Sequence, residues 1–283
     1  MPDIQRRGAV LITGSTGGIG AATVQALSRH GFTVYAGVRQ TGRVAGGAVG
    51  TIREVALDVA DPESVAAAAK QIAGEVGGLR AVINNAGVIV QGPVELVPAD
   101  EWRRQLEVNT LGPASVVREF LPLVRSGAGR IINVSAPTGR VAFPLLGALS
   151  ASKAGLEALS NALRLELAAW KIPVVVVEPG STATAIFEKA GAAEREAQGR
   201  IGRDRVALYQ AHLAAYEKAT ARFKPGPVDK VAEVIVRAVE AQRPKRRYTV
   251  GDARTLGAVL TRLPAGLRDK ALNSALGLNG INA

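Results

Sequence analysis

The chain contains no cysteine, which excludes a disulfide framework and a thiolate metal site. It has two histidines, His30 and His212, too few for a histidine-based metal cluster, so no metal site is expected. Aromatic residues are only 4% of the chain and none is interleaved with its basic runs, so nucleic-acid binding by base stacking is not supported. No apolar run is long enough to span a bilayer. The opening Met1-Pro2-Asp3-Ile4-Gln5-Arg6-Arg7 has no apolar signal segment, so a cytoplasmic protein is expected. Acidic side chains are in deficit, and the formal net charge is +11. The densest basic run is Arg243-Pro244-Lys245-Arg246-Arg247. It reads as a solvated loop before the last strand. The sharper alternative is attraction to anionic partners such as nucleotide phosphates.

What is present is Ala, Val, Leu and Gly, in short apolar runs that alternate with helical stretches. Strands are expected at 9–13, 32–38, 51–57, 79–84, 130–135, 172–178 and 247–251. Helices are expected up to His30, from Pro62 with Asp61 as N-cap, from Asp100 as cap to about 124, at 149–170 and at 228–241. Strands alternating with helices imply a parallel sheet covered on both faces. Two stretches break the rhythm. Residues of about 185–226 form a polar, Ala-rich insertion. Residues 253–283 form a tail with Leu256, Val259, Leu260, Leu263 and Leu267 at helical spacing, read as packed on the body, or else as a lid or weak membrane contact.

Thr13-Gly14-Ser15-Thr16-Gly17-Gly18-Ile19-Gly20 sits between the first strand and the first helix. Glycines at 14, 18 and 20 remove Cβ atoms where a backbone must turn sharply and approach a pyrophosphate. The helix N-terminus then offers free N–H groups and a favourable dipole. The fold class that follows is α/β, a Rossmann-type doubly wound, mostly parallel seven-stranded sheet with helices on both faces. The whole of 1–283 is expected to be one NAD(P)-binding domain carrying the insertion as a substrate lid. At the end of the second strand, Ala36-Gly37-Val38-Arg39 lacks the acid that bonds a ribose 2′-hydroxyl in NAD sites. Arg39, with Arg43 to assist, suits a 2′-phosphate by charge and geometry, so NADP(H) is favoured over NAD(H).

These elements resemble the short-chain dehydrogenase/reductase family, and others follow in family order. Leu57-Asp58-Val59 is similar to the segment whose aspartate contacts the adenine. Asn84-Asn85-Ala86-Gly87 is similar to the element that lines the cofactor. Val108-Asn109-Thr110 resembles the helix position whose asparagine supports the catalytic lysine through a water. Pro179-Gly180-Ser181-Thr182-Ala183-Thr184 resembles the turn that contacts the nicotinamide amide and pyrophosphate. The resemblance implies cofactor contacts from Gly14, Ser15, Thr16, Gly18, Ile19, Gly20, Arg39, Asp58, Val59, Asn85, Ala86, Gly87, Lys153, Pro179, Gly180, Thr182 and Thr184. It also implies a homodimer or homotetramer formed through the helices at about 100–124 and 149–170.

The same resemblance exposes two departures. In Ala148-Leu149-Ser150-Ala151-Ser152-Lys153, leucine stands where the family has its proton-donating tyrosine. In Ile132-Asn133-Val134-Ser135-Ala136, alanine stands where it has the serine that polarises the substrate carbonyl. Ala136 and Leu149 keep the family's separation, and Leu149 and Lys153 are four apart on one helix face, so these are substitutions in register. Asn109 and Lys153 are retained as catalytic-site residues.

Three functions are compatible with this pattern. The first is an NADP(H)-binding oxidoreductase with an atypical proton supply, reducing an activated C=C, C=N or C=O in an apolar small molecule. Tyr209, His212 and Tyr216, on one face of a helix in the insertion, are its candidate replacement donors. The second is a non-redox cyclase, isomerase or dehydratase on the same scaffold. The third is a non-catalytic NADP(H)-binding protein.

Overall fold

The computed structural model describes residues 7–44, 51–186, 190, 191, 196 and 199–281. The N-terminal residues before Arg7 and parts of the insertion (187–189, 192–195 and 197–198) therefore lie outside the described residues.

Seven strands form one sheet: β1 Ala9–Ile12, β2 Thr33–Val38, β3 Thr51–Ala56, β4 Leu79–Asn84, β5 Ile131–Val134, β6 Val174–Pro179 and β7 Arg247–Val250. Their order is β3-β2-β1-β4-β5-β6-β7, and every pairing is parallel. Because β1 lies centrally and the chain winds outward from it in both directions, a crevice opens at the strand C-termini between β1 and β4.

Strand periodicity divides the core in two. Ala9 and Leu11 face one layer and Val10 and Ile12 the other, though all four are buried. The first layer packs α2 (Pro62–Glu75), α4 (Gly112–Ser126) and α5 (Gly147–Glu166) on the sheet through Val65, Ile72, Phe120 and Leu163. The second packs α1 (Gly18–Arg29) and α8 (Val228–Glu240) through Val24, Leu27, Val231 and Ile235. Burying both faces explains why the strands read as apolar runs with little alternation.

Local signals set most helix ends. The Asp61 carboxylate accepts the Glu63 N–H at 2.9 Å and Pro62 opens α2, as the sequence predicts. Asp100 does not cap its helix. α3 (Ala99–Leu106) starts after Pro98, and Asp100 sits in its first turn, where it receives the Arg200 guanidinium at 2.8 Å. Nor is the stretch from 99 to 126 one regular helix, since a wide π turn at Glu107–Leu111 separates α3 from α4. The basic run before β7 is only partly solvated. Arg243, Lys245 and Arg246 are exposed, whereas Arg247 is turned inward onto Glu157 and Glu178.

In the insertion the described helices are α6 (Arg203–Ala207) and α7 (Gln210–Thr220). In the tail they are α9 (Ala253–Leu260) and α10 (Ala265–Ala275). Leu260 and Leu272 are buried with Val141, which packs the tail on the body, while Val259 and Leu267 face outward. Among the described residues no helix is long and apolar enough to cross a membrane.

Candidate active site

The turn after β1 is shaped by contacts that leave no room for side chains. Gly14 has φ +67, and an added Cβ would lie 2.7 Å from the Ala86 Cα. At Gly20 an added Cβ would collide with the Gly14 carbonyl. Asn85 and Ala86 meet this turn because the Thr13 hydroxyl accepts both of their N–H groups, at 3.1 and 3.0 Å. The Asn85 amide in turn donates to the Thr13 and Gly14 carbonyls at 2.9 and 3.2 Å. Thr13 thus joins the turn after β1 to the turn after β4. It was absent from the expected contacts, although its place at the head of the glycine motif was visible.

The other residues of the turn differ in exposure. Ser15 is buried, its hydroxyl donating to the Ile12 carbonyl at 2.9 Å, while Thr16 and Gly18 are exposed and Ile19 is half-buried. The N-cap of α1 is Gly17, no side chain caps it, and its first turn holds no acid. The free N–H groups of that turn therefore face the crevice mouth without a competing anion from the helix itself.

Across the mouth, Pro179 ends β6 buried, and the Gly180 N–H donates to the Val250 carbonyl at 3.0 Å. The Asp252 carboxylate accepts the Ser181 N–H at 2.9 Å. Thr182 is buried, its hydroxyl on the Gly180 carbonyl at 2.9 Å, and Thr184 packs against Gly18. The 179–184 segment and the glycine turn are in contact.

Arg39 is exposed at the end of β2 with no hydrogen-bond or ion-pair partner among the described residues. Arg43 is committed locally: its side chain donates to Gln40 at 3.1 Å and its N–H to Glu54 at 2.7 Å. Asp58 is half-buried, accepting the Ala60 N–H at 3.0 Å, and Val59 is buried against Gly112.

The centre of the crevice is Lys153. It is buried, and its ammonium donates to the Val134 carbonyl at 2.9 Å. Burial lowers its pKa from 10.5 to about 8, against a smaller opposing pull from the Glu157 carboxylate. An ammonium has three donors, and Val134 takes one of them. Asn109 is fully buried at the π turn, accepting the Val88 N–H and donating to the Val88 carbonyl, both at 2.9 Å, and to Ser152 at 3.1 Å. Gly87 lies between the two. A Cβ there would be 3.3 Å from the Asn109 Oδ1 and 3.8 Å from the Lys153 Nζ.

Leu149 is buried, one turn before Lys153 on α5, and Ala136 is half-buried. Beside Ala136 the hydroxyls of Ser135 and Thr138 are buried with no partner among the described residues. The turn that carries Thr138 packs directly on α5, since Gly139 lies against the Lys153 backbone. These two hydroxyls had not been singled out in the sequence, where one adjoins and the other follows a position read only for its loss.

Of the candidate donors in the insertion, Tyr209 and His212 do meet, with ring centroids 5.6 Å apart. Tyr209 stands at the N-cap of α7, however, and its hydroxyl donates to the Glu95 carboxylate at 3.0 Å, which raises its pKa.

The model of the family described as short chain dehydrogenase matches residues 8–195. Retinol dehydrogenase 5 of Homo sapiens is 35% identical over 94% of this chain and 88% of its own length. The 3-amino-tetrahydro-pyrrolizinone reductase of Xenorhabdus hominickii is 32% identical over 87% of each. Among solved structures, a short chain dehydrogenase from Burkholderia cenocepacia J2315 in complex with NADP superposes with a TM-score of 0.73 at 27% identity. That match covers 97% of this chain and 98% of the other. With its all-parallel seven-stranded sheet, its glycine turn after β1 and these matches, the chain belongs to the short-chain dehydrogenase family.

Proposed function

We propose that this chain is an NADP(H)-dependent oxidoreductase that handles an activated C=C, C=N or C=O in an apolar small molecule without the family's tyrosine acid. The observation that carries this reading is the asymmetry of the crevice. Its cofactor side is built in full: an uncapped α1 N-terminus, a glycine turn with no room for side chains, and Lys153 with donors to spare. At the two positions expected to face the substrate stand the buried Leu149 and the half-buried Ala136, neither of which carries a proton donor. The named substrate of the retinol dehydrogenase relative is itself apolar, which supports an apolar ligand here.

The residues fit the cofactor. The glycine turn and α1 would hold the pyrophosphate, Arg39 the 2′-phosphate, Asp58 and Val59 the adenine, and Lys153 the nicotinamide ribose hydroxyls. The 179–184 segment, already fixed by Asp252, would close over the nicotinamide. When bound, the nicotinamide supplies or takes a hydride. The protein must then manage the proton. Leu149 cannot donate one. Ser135 and Thr138, beside Ala136, offer buried hydroxyls that have no partner among the described residues and could polarise an acceptor. An iminium substrate takes a hydride without a proton and suits this pocket best.

The chain acts in this reading as one dinucleotide-binding domain over 1–283, with the 185–226 insertion as a lid and the 253–283 tail buttressing it. α4 and α5 would pair copies into a dimer or tetramer, an assignment supported by Leu111 and Leu165, which stay exposed on these elements or their ends. Light scattering reads that state directly.

The buried apolar Leu149 favours a second reading, a non-redox enzyme that uses the crevice to fold and orient a reactive substrate. Calorimetry with NADPH and NADH, followed by NADPH absorbance with iminium, enone and ketone panels, separates the two. Micromolar NADPH binding and consumption of its absorbance with an iminium or enone is expected. Turnover without loss of NADPH absorbance, or no binding of either nucleotide, overturns the redox reading.

A further inference from the structure

The segment after β2 is held in place by a residue on the neighbouring strand. Three consecutive backbone N–H groups, those of Gly42, Arg43 and Val44, converge on the Glu54 carboxylate of β3, the last two at 2.7 and 2.5 Å. Glu54 pairs in register with Ala36 of β2, so the chain leaves β2 at Arg39, reverses, and is pinned back on β3. The reversal uses Gly42 at φ +82, a conformation that side chains rarely adopt, in open space. Successive N–H groups facing one concave side make an anion-binding nest, and here the chain fills it with its own carboxylate. The Gly42 N–H most of all holds that carboxyl below its ordinary pKa; desolvation opposes it next, and the Val44 and Arg43 N–H groups lower it further. The Arg43 guanidinium folds onto Gln40, so the pinned turn brings to the end of β2 one committed guanidinium and one, that of Arg39, without a partner among the described residues.

We propose that Glu54 is a positioning residue for the cofactor's 2′-phosphate: by closing the 42–44 nest it fixes the turn so that Arg39, which has no partner among the described residues, is presented where the ribose phosphate arrives. This rests on the reading above that Arg39 receives that phosphate. A strand acid two residues before the end of β3 would ordinarily discourage a dianion nearby. Here its charge is offset by three N–H dipoles, and the two arginines leave the mouth cationic. Glu54 therefore sets the choice between phosphorylated and unphosphorylated nucleotide while touching neither.

The test is calorimetry of NADPH and NADH binding to the full chain, to Glu54→Ala, Glu54→Gln and Arg39→Ala, and to the Arg39→Ala/Glu54→Ala double variant. Glu54→Ala is expected to weaken NADPH at least tenfold and to leave NADH within twofold, the latter also reporting that the fold and the rest of the cofactor site survive. Glu54→Gln, which keeps one acceptor oxygen, should fall between. The double variant should bind NADPH no worse than Arg39→Ala alone, because Glu54 acts through Arg39. Equal losses for both nucleotides, additive losses in the double variant, or tighter NADPH binding once the nest is freed would each overturn the positioning role while leaving the cofactor reading intact. A wild type with no preference for NADPH, indifferent to Arg39→Ala, would overturn the phosphate reading itself and this inference with it.

Discussion

Lys153 gives the crevice a pH dependence whose direction can be worked out. Its burial lowers the folded pKa to about 8, whereas the unfolded chain keeps the ordinary value of 10.5. Between those two values the unfolded chain binds more protons than the folded one. Stability therefore rises with pH across that window and is lower below it, where the buried amine must carry its charge. Lys153→Met removes the titration. Denaturant unfolding from pH 7 to 10.5 should show the wild type level up to about pH 8 and gaining stability from there to 10.5, with no such gain in the variant. A parallel rise in both would assign the effect elsewhere. On the proposed reading, Leu149 and Ala136 stand where the family's acid and carbonyl-polarising hydroxyl would act. General acid catalysis contributes roughly two to four orders of magnitude and an oxyanion donor about two to three. Restoring both, with Leu149→Tyr and Ala136→Ser, should raise reduction of a simple ketone by NADPH at least a hundredfold. Tyrosine is the larger side chain in a buried slot, so the thermal midpoint is expected to drop slightly. A folded double variant with no gain would mean that these two positions do not limit the chemistry.

At the scale of elements, what the sequence made legible is what local physics dictates. Apolar runs such as Val174-Val175-Val176-Val177 are strands because both faces of the sheet are covered, and Asp61-Pro62 starts a helix by chemistry confined to three residues. The glycine turn was legible because steric exclusion leaves glycine as the only choice. Features that depend on a distant partner were not. Asp100 looks like a cap until Arg200 claims its carboxylate, and nothing in Glu54 or Gly42 separately announces the nest they form. The π turn at Glu107–Leu111 is the sharpest case, since no propensity signals it. It is held by Asn109, which reaches sideways to both backbone groups of Val88 and thereby suspends the loop after β4 beside Lys153. Asn109→Leu would strand the part-buried Val88 N–H, while the Val88 carbonyl would keep the Gln105 amide at 3.0 Å, at a cost of about 1–3 kcal/mol. NADPH affinity should fall as well, because Gly87 lies on that loop beside the Lys153 ammonium of α5. Unfolding and calorimetry on one sample check both, and an unchanged nucleotide affinity in a destabilised variant would limit Asn109 to a structural part.

For the whole molecule, the consequential charges are the few turned inward. Glu178 on β6 is fully buried and Glu157 on α5 nearly so, and Arg247 of β7 reaches both, at 2.5 Å to Glu157 and 3.2 Å to Glu178. Arg140, in the turn that follows the Ala136 position, approaches Glu178 at 3.5 Å and donates to Thr261 of the tail at 3.2 Å. One cluster thus ties the last strand, the long helix of Lys153, the substrate-side turn and the tail. Arg247 had looked like part of a solvated basic run because its neighbours Lys245 and Arg246 are exposed, and only β7 pairing with β6 turns it inward. Such a cluster is weak as a source of stability but costly to break, since removing one partner leaves the others charged and buried. Arg247→Met should cost about 3–5 kcal/mol, the range for uncompensated buried charge. Removing Glu157 along with it, as Glu157→Met/Arg247→Met, should recover part of that loss because one stranded carboxylate goes too. Denaturant unfolding of both single variants and the double gives the coupling. Losses that simply add would mean that the two side chains stabilise the molecule independently, and that Arg247 does not join the sheet edge to the helix carrying Lys153.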